Sequence, residues 1–348
     1  MIYILISLFF IVFAISLFEE RLQKYKSVLY ISLCVILVWC VAFKPVGIDN
    51  DSEQYEYFFY KNDNPYVLIS VEYSYVVLSR FFMHFTDDVH IMFLLYGGCG
   101  LLMKVSAIKR LSELWFLPIM VYLGNYYVLH ELTQIRACVV SGLFMLAIIP
   151  LAEGNKKKAF WLLLVGCIFH YSTLVLFPAL FLTNKEMTPK WRIIWALVLP
   201  IGYLIYFLKI NPLTTLPIPY IGDKLAAYQE HSEKGLRGSS INVFNAVFVM
   251  IWFSYLYILY FYDTVIKHNK YLPLMLRLTG VSIFLFLVLT FLPVLSFRVS
   301  ELYGIVEIFI FANIYYTINP KWLGKTVVLI IGLAQFCINA FYANYLHP

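Results

Sequence analysis

The chain has 348 residues, of which 62% are hydrophobic and 13% are charged, and its mean hydropathy is +0.79. A soluble protein of this length has too little polar surface to cover such a composition, so a soluble globular fold is excluded. The net charge of +6 is not gathered into a basic groove with aromatic platforms, which argues against a nucleic-acid partner.

Apolar runs of roughly 17–25 residues, the length that a bilayer requires of a helix, recur through the chain. They predict an all-α, polytopic membrane protein with about ten full spans in a single domain, residues 1–348. The first run has no basic residues before it and no small-residue cleavage site, so we interpret it as a retained span. The predicted spans cover residues 2–18, 28–44, 89–106, 114–130, 133–150, 193–208, 241–262, 274–293, 302–318 and 326–345.

Two further apolar segments do not fit a simple crossing. Residues 71–86 carry Glu72, Arg80 and His84 between aromatic residues, which favours a helix lying at the outer membrane interface. Residues 159–182 are long for one span and short for two, and His170 lies in their middle. We predict that this segment is a hairpin of two half-length helices, entered from the cytoplasm and broken near His170.

The distribution of lysine and arginine predicts the orientation, because cytoplasmic loops carry an excess of both. The short basic connections are residues 19–27, 104–110, 153–158, 183–192, 263–270 and 319–325. If all are cytoplasmic, the outer face comprises loop 45–88, the turn at residues 130–136, loop 209–240 and the turn around Arg298. The tip of the hairpin then points outward, and its irregular backbone is tolerated only if it is buried in protein or lines a wet cavity.

Arg136 and Arg298 each lie at the outer mouth of a predicted span. Each is either an arginine whose guanidinium reaches the membrane interface or a binding group for phosphate. A guanidinium stays charged and binds phosphate oxygens through two hydrogen bonds, so two such residues suit a diphosphate. Gln134 and Arg237 are weaker candidates for additional donors.

His170 is either a satisfied core histidine or a functional group, acting as a neutral general base or, when charged, on a phosphate leaving group. The acidic segment 49–53, which contains Asp51, is a solvated loop face, a metal site for a diphosphate donor, or a set of carboxylates that position a sugar hydroxyl. Glu72 and Glu301 are alternative bases. The cysteines and histidines form no C-x-x-C or H-x-x-x-H pair, so a metal site built on them is not predicted.

Several segments resemble the EpsG/Wzy-type polysaccharide polymerases of bacterial inner membranes. They are G-I-D-N-D-S-E-Q-Y in the first outer loop, V-E-Y-S-Y-V-V-L-S-R after it, Q-I-R-A-C-V-V-S-G-L-F, G-N-K-K-K-A-F-W-L-L-L-V-G-C-I-F-H-Y-S-T-L-V and F-R-V-S-E-L-Y. Each motif is short, and their order and spacing over residues 1–345 carry the resemblance. Cys167 replaces an alanine that is common in the family, and Glu72 is not preceded by proline; both departures concern packing.

The resemblance implies a reaction at the outer face of the bacterial inner membrane. A growing glycan on undecaprenyl diphosphate is transferred to a lipid-linked repeat unit, and the diphosphate leaves without the help of a metal or another cofactor. Expected partners are the lipid-linked oligosaccharide, the bilayer, and a chain-length regulator and flippase of the same pathway.

The resemblance and the sequence patterns together predict three sets of site residues. The arginines hold the diphosphate, His170 lies beside the reacting centre, and carboxylates line the acceptor side. The predicted catalytic residues are His170, Glu301 and Asp51. The predicted diphosphate-binding residues are Arg136, Arg298 and Arg237. The predicted glycan-binding residues are Glu72, Tyr303 and Gln134.

Two other functions remain open at this point. A flippase or transporter of lipid-linked sugars commonly shows paired internal repeats, and none is visible in this sequence. A glycosyltransferase or ligase that uses polyprenyl monophosphate sugars would make the acidic segment 49–53 central and metal-dependent.

Overall fold

The computed structural model describes residues 1–210 and 241–346. Within these ranges the chain forms helices and no β-strand, and one isolated β-bridge joins Asp49 to Leu346. The predicted all-α class is confirmed. Nearly all of the predicted outer loop 209–240, including Arg237, lies outside the described residues.

The principal helices are numbered here in chain order. They are α1 Ile2–Leu17, α2 Lys26–Ala42, α3 Ser52–Tyr60, α4 Pro65–Ser70, α5 Tyr73–Phe82, α6 His90–Leu111, α7 Phe116–Gly124, α8 Tyr127–Thr133, α9 Ile135–Ala152, α10 Lys156–Phe169, α11 Tyr171–Phe181, α12 Pro189–Phe207, α13 Ala246–Tyr260, α14 Leu272–Val288, α15 Pro293–Gly304, α16 Glu307–Asn313 and α17 Lys321–Tyr342.

Four of the described helices, α6, α9, α12 and α17, are long and apolar enough to cross a membrane. The apolar helices α1, α2, α11, α13 and α14 are shorter, at 10–17 residues. A multi-pass membrane protein is therefore supported, whereas the count of about ten spans stays a prediction.

The structure differs from the predicted helix boundaries in two places. The span predicted at residues 114–130 breaks after Gly124, where α7 packs so closely on α17 that an added Cβ would overlap the carbonyl oxygen of Gly332. The turn predicted around Arg298 is helical, because α15 begins at Pro293, a residue that favours the first position of a helix. Arg298 and Glu301 therefore lie one turn apart on α15.

The chain reverses direction at His170. Its backbone is extended, with φ −160° and ψ 128°, between α10 and the 3₁₀ helix α11. The two helices run antiparallel, since Phe160 packs on Phe177 with ring centroids 5.4 Å apart, and Gly166, nearer the tip, faces Thr173. The predicted hairpin is therefore present, and the side of the membrane from which it is entered stays a prediction.

Helix α5 has two unlike faces. Tyr73 and Phe81 are 72% and 55% exposed, whereas Tyr75 and Ser79 on the opposite face are fully buried. An exposed aromatic face on a short helix is the pattern of an element that lies in a membrane interface, as predicted for residues 71–86. Glu72 immediately precedes this helix.

Helix α9 is the most enclosed of the four long apolar helices, with 83% of its apolar window buried. It packs against α6, where Gly100 allows the backbone of Cys138 to approach closely. Arg136 lies in the first turn of α9, so this enclosed helix positions its guanidinium group at the end of the bundle.

Residues 104–110 are predicted to form a cytoplasmic connection, but Lys104 does not lie in one. It is fully buried within α6 and forms an ion pair with the equally buried Glu131, which also accepts a hydrogen bond from Cys138. The prediction was wrong because a lysine can be accommodated within a helix bundle when a carboxylate from a neighbouring segment neutralises it.

Candidate functional site

The centre of the candidate site is the carboxylate of Glu72. One of its oxygens accepts a hydrogen bond from Arg136 Nη1 at 2.5 Å, and the other is bound by His170 Nδ1. The backbone amide of Tyr171 also points at that second oxygen, at 3.3 Å. The side chain of Glu72 is 5% exposed, whereas those of Arg136 and His170 are 16% and 15% exposed. One carboxylate therefore joins three elements of the fold.

Local structure explains why these three groups converge. Glu72 has the extended backbone of a residue that begins a helix, with φ −67° and ψ 145°. His170 occupies the reversal of the α10–α11 hairpin, where its side chain leaves the helical direction. Arg136 begins α9. Each residue lies at the end of a helix, so all three project toward the same end of the bundle.

The pairing fixes the charge of Glu72. Burial alone would raise the pKa of this carboxyl group, but the hydrogen bond from His170 and the positive charge of Arg136 lower it to about 2. An ionised carboxylate only accepts hydrogen bonds, so the proton of this contact lies on His170 Nδ1. His170 Nε2 makes no hydrogen bond within the described residues, and in the neutral ring it is the atom that can accept a proton.

Tyr55 and Asp51 surround the same arginine. The guanidinium carbon of Arg136 lies 5.7 Å from the centroid of the Tyr55 ring. Burial and the neighbouring Asp49 raise the pKa of Asp51, and the charges of Arg298, Lys44 and Arg136 act in the opposite direction. Asp51 therefore lies within the electrostatic reach of both predicted diphosphate-binding arginines.

A buried ion pair anchors the acidic segment. Lys44 Nζ lies 2.7 Å from a carboxylate oxygen of Asp49, and both side chains are fully buried. The other oxygen of Asp49 accepts hydrogen bonds from the backbone amides of Asp51 and Ser52 at 3.0 and 2.9 Å, at the start of α3. Asp49 is thus occupied in holding the loop, and Asp51 is the carboxyl group of this segment whose pKa the charges of both arginines lower.

Arg298 differs from Arg136 in having no ion pair among the described residues. Its side chain is exposed on α15 and borders a cavity of about 10 Å³, hereafter the small cavity. Such a volume admits about one water molecule. The residues around it are His130, Gln134, Ala137, His170, Ser172, Arg298, Glu301 and Leu302. An anion would therefore meet Arg298 on its exposed side, next to His170.

A family model described as the EpsG family matches residues 27–347, nearly the whole chain. The chain belongs to the EpsG family. This is a family of Wzy-type polysaccharide polymerases, and the resemblance noted in the sequence is confirmed. No curated protein and no solved structure matches the chain.

The described residues of this EpsG-family chain bring most of the predicted site residues together. Glu72 binds both His170 and Arg136, and Gln134, Arg298 and Glu301 border the adjacent small cavity. Within the described ranges, no three His, Cys, Asp or Glu side chains are placed to hold a metal ion.

Tyr303 is placed differently from the other predicted residues of this EpsG-family chain. It is 1% exposed, and its hydroxyl group donates a hydrogen bond of 2.8 Å to the carbonyl oxygen of Val175. Val175 lies in α11, so Tyr303 ties α15 to the hairpin. In this conformation it supports the hairpin rather than facing a ligand.

Sequence reasoning missed Ser172 and His130. The hydroxyl oxygen of Ser172 is buried without a hydrogen-bond partner in the described chain, at the edge of the small cavity. His130 is buried, and its Nδ1 lies 3.0 Å from Ser141 Oγ. Ser172 could have been predicted as a site residue, because it follows His170 by two residues in the sequence. The position of His130 could not, because it depends on the π-helical turn α8.

Proposed function

We propose that this protein polymerises oligosaccharide repeat units linked to undecaprenyl diphosphate, with its active site at the outer face of the bacterial inner membrane. Membership of the EpsG family supports polysaccharide polymerisation in general. One observation carries the specific chemistry. Arg136 is neutralised by Glu72, whereas Arg298 has no ion pair among the described residues.

The two arginines then have different roles. Arg136 already binds a carboxylate, so its main effect is to hold Glu72 against His170. Arg298 is exposed and has no carboxylate within ion-pair distance in the described chain, so it is the group that binds the diphosphate. A phosphate oxygen would interact with both nitrogens of its guanidinium edge.

His170 acts as the general base in this proposal. Its Nδ1–H is held by Glu72, so Nε2 takes the proton from the attacking hydroxyl group of the acceptor sugar. The oxygen of that hydroxyl forms a bond to the anomeric carbon of the growing glycan, and the bond from that carbon to the diphosphate breaks. The diphosphate leaves with both electrons of the broken bond, and Arg298 stabilises its charge.

The resulting imidazolium ion is stabilised by Glu72, the role that a carboxylate has when it orients a catalytic histidine. Asp51 lies near both arginines and is a candidate to bind a hydroxyl group of the glycan. A chain-length regulator and a flippase are proposed partners, because the product is a lipid-linked chain and its precursor must reach the outer face.

The test is polymerisation by purified protein in liposomes that contain the lipid-linked repeat unit. We expect His170→Ala and Arg298→Ala to abolish the ladder of long products, and Arg136→Ala to abolish it by releasing Glu72. Arg110→Ala is the matched control, since Arg110 is exposed at the opposite end of α6 from His90. Full-length polymer made by both the His170 and Arg298 variants would overturn the proposal.

A further inference from the structure

A second, larger cavity lies beside the candidate site. Its volume is about 270 Å³, and it is lined by residues at the junction of α7 and α8 and by residues of α13, α14, α15, α16 and α17. We call it the large cavity. Glu301 borders both the large and the small cavity, so the two share a wall at this residue. The large cavity has room for a ligand group larger than a water molecule.

The acidic groups of the large cavity are Glu301 and Glu307, and its other described polar groups are asparagine amides and tyrosine and serine hydroxyl groups, which can donate as well as accept hydrogen bonds. Glu307 is 2% exposed, and its carboxylate accepts hydrogen bonds from Tyr126 Oη at 3.0 Å and Ser282 Oγ at 3.3 Å. Glu301 makes no hydrogen bond within the described chain, and its carboxylate is available. A ligand that donates several hydrogen bonds, such as a sugar hydroxyl or amino group, satisfies both carboxylates.

The described lining of this cavity does not suit the diphosphate. Its described lining contains two carboxylates, Glu301 and Glu307, and no lysine, arginine or histidine. Among the described lining residues, a phosphate group would find no cation to bind. Arg298 and His170 border only the small cavity, so the anion and the ligand of the large cavity occupy separate places.

The apolar part of the lining fits the faces of sugar rings. Phe248, Phe286 and Phe297 present aromatic surfaces, and ring centroids of Phe248 and Phe286 lie 4.3 Å apart. A sugar ring has an apolar face of C–H groups and a rim of hydroxyl groups, which match an aromatic wall and a carboxylate rim. A polyprenyl chain fits less well, because it would remove the carboxyl group of Glu301 from water without supplying a hydrogen bond.

We propose that the large cavity binds the terminal sugar of the acceptor repeat unit, as an uncharged sugar or an amino sugar. This inference rests on the proposed polymerase function and adds where the acceptor lies. Glu301, on the shared wall, accepts a hydrogen bond from the acceptor sugar and directs its reactive hydroxyl group toward His170. Glu301 is thus a substrate-binding residue that positions the nucleophile, and Glu307 fixes the far side of the same ring.

Binding of two probes to the full-length protein in nanodiscs tests this assignment. The first probe is the free oligosaccharide repeat unit, released by mild acid from the lipid-linked intermediate of the native host, so that it carries neither lipid nor phosphate. The second probe is undecaprenyl diphosphate without sugar. The variants are Glu307→Gln and Ser282→Ala in the large cavity and Arg298→Gln at the small one. The control is Glu113→Gln, an exposed carboxylate between α6 and α7.

We expect Glu307→Gln to weaken oligosaccharide binding by up to about tenfold, the loss typical of one hydrogen bond, and to leave undecaprenyl diphosphate binding within about twofold. Arg298→Gln should show the opposite pattern. Unchanged oligosaccharide binding in both folded large-cavity variants overturns the inference, as does a selective loss of undecaprenyl diphosphate binding. If Glu307→Gln does not fold, Ser282→Ala gives the same test through the partner of Glu307.

Failure of this inference is distinguishable from failure of the proposed function. Polymerisation by the His170→Ala and Arg298→Ala variants would overturn the function, whatever the oligosaccharide binding shows. Normal oligosaccharide binding by Glu307→Gln, together with loss of polymerisation in the His170 and Arg298 variants, would retain the function and remove the acceptor site from the large cavity.

Discussion

Glu72 and His170 are 98 residues apart in the sequence, and the Glu72 carboxylate binds His170 Nδ1 directly. The contact fastens the tip of the α10–α11 hairpin to the start of α5. It also fixes the tautomer of the imidazole, which leaves Nε2 available to a substrate. The carboxylate orients the histidine and is itself held by Arg136, which supports the proposed role of His170 in proton transfer.

Glu72→Gln should lower the rate of polymerisation by about 100-fold or more, in line with carboxylate-to-amide changes beside a catalytic histidine. The amide cannot stabilise an imidazolium ion, and its NH₂ group can bind Nδ1 and favour the wrong tautomer. The measurement is the initial rate of chain extension in liposomes at saturating lipid-linked substrate. Glu56→Gln, in the neighbouring helix α3, is the matched control, and a rate within about twofold of wild type for Glu72→Gln would contradict the assigned role.

Acid should remove the contribution of Glu72 to stability. Burial alone would raise its pKa, but the His170 hydrogen bond and the Arg136 charge lower the value from 4.5 to about 2. An acid with a lowered pKa in the folded state stabilises the fold above its unfolded pKa, and this stabilisation disappears as the pH falls through the folded pKa. Wild type should therefore exceed Glu72→Gln in free energy of unfolding by at most about 3 kcal/mol near neutral pH.

The difference in free energy of unfolding between wild type and Glu72→Gln should be constant above about pH 5. It should shrink between about pH 4.5 and pH 2, as the carboxylate takes up its proton. Denaturant unfolding of both proteins in the same detergent, followed across this pH range, measures it. A difference that persisted unchanged to the acid end would show that the ionised carboxylate is not the stabilising form.

The helical class, most helix positions and the break at His170 could be predicted from the sequence, because they depend on local runs of apolar residues and on where charge interrupts them. The break at Gly124 could not, since it depends on the close approach of Gly332 in α17, far along the chain. The helix that carries Arg298 was predicted as a turn, because its polar residues outweighed the start signal of Pro293.

The members of the candidate site could be predicted individually, but not their pairing. Arg136 was assigned to the diphosphate on its residue type and position, and the structure shows its guanidinium bound to Glu72. A long-range ion pair leaves no periodic signal in a single sequence. The same reason explains Lys104, whose basic side chain suggested a cytoplasmic loop until its partner Glu131 was located.

Removing one partner of the Lys104–Glu131 pair should be more harmful than removing both. Lys104→Met leaves a buried carboxylate without a cation and should lower the free energy of unfolding by about 3–5 kcal/mol. Adding Glu131→Leu should recover much of this loss, because neither charge then has to be removed from water. Thermal unfolding in detergent of the two single variants and the double variant measures the coupling, and purely additive losses would argue against a direct pair.

Two glycines offer a matched test of helix packing. Gly124→Ala should destabilise the protein by about 1–3 kcal/mol or more, since the new methyl group would overlap the backbone of Gly332. Gly98→Ala should be neutral or slightly stabilising, because its nearest neighbour would be Leu94 Cδ1 at 3.6 Å and alanine favours a helix by about 1 kcal/mol over glycine. Equal unfolding temperatures for the two variants would contradict the close α7–α17 contact.

The orientation of the hairpin can be tested by cysteine labelling in a background from which the native cysteines have been removed. Tyr171, at the tip, is 63% exposed, and Lys157, at the base of α10, is also exposed. A membrane-impermeant maleimide should label Tyr171→Cys in intact spheroplasts and label Lys157→Cys only after the membrane is opened. The reverse pattern would place His170 and the Glu72 pair on the cytoplasmic side, where a lipid-linked repeat unit presented outside could not reach them.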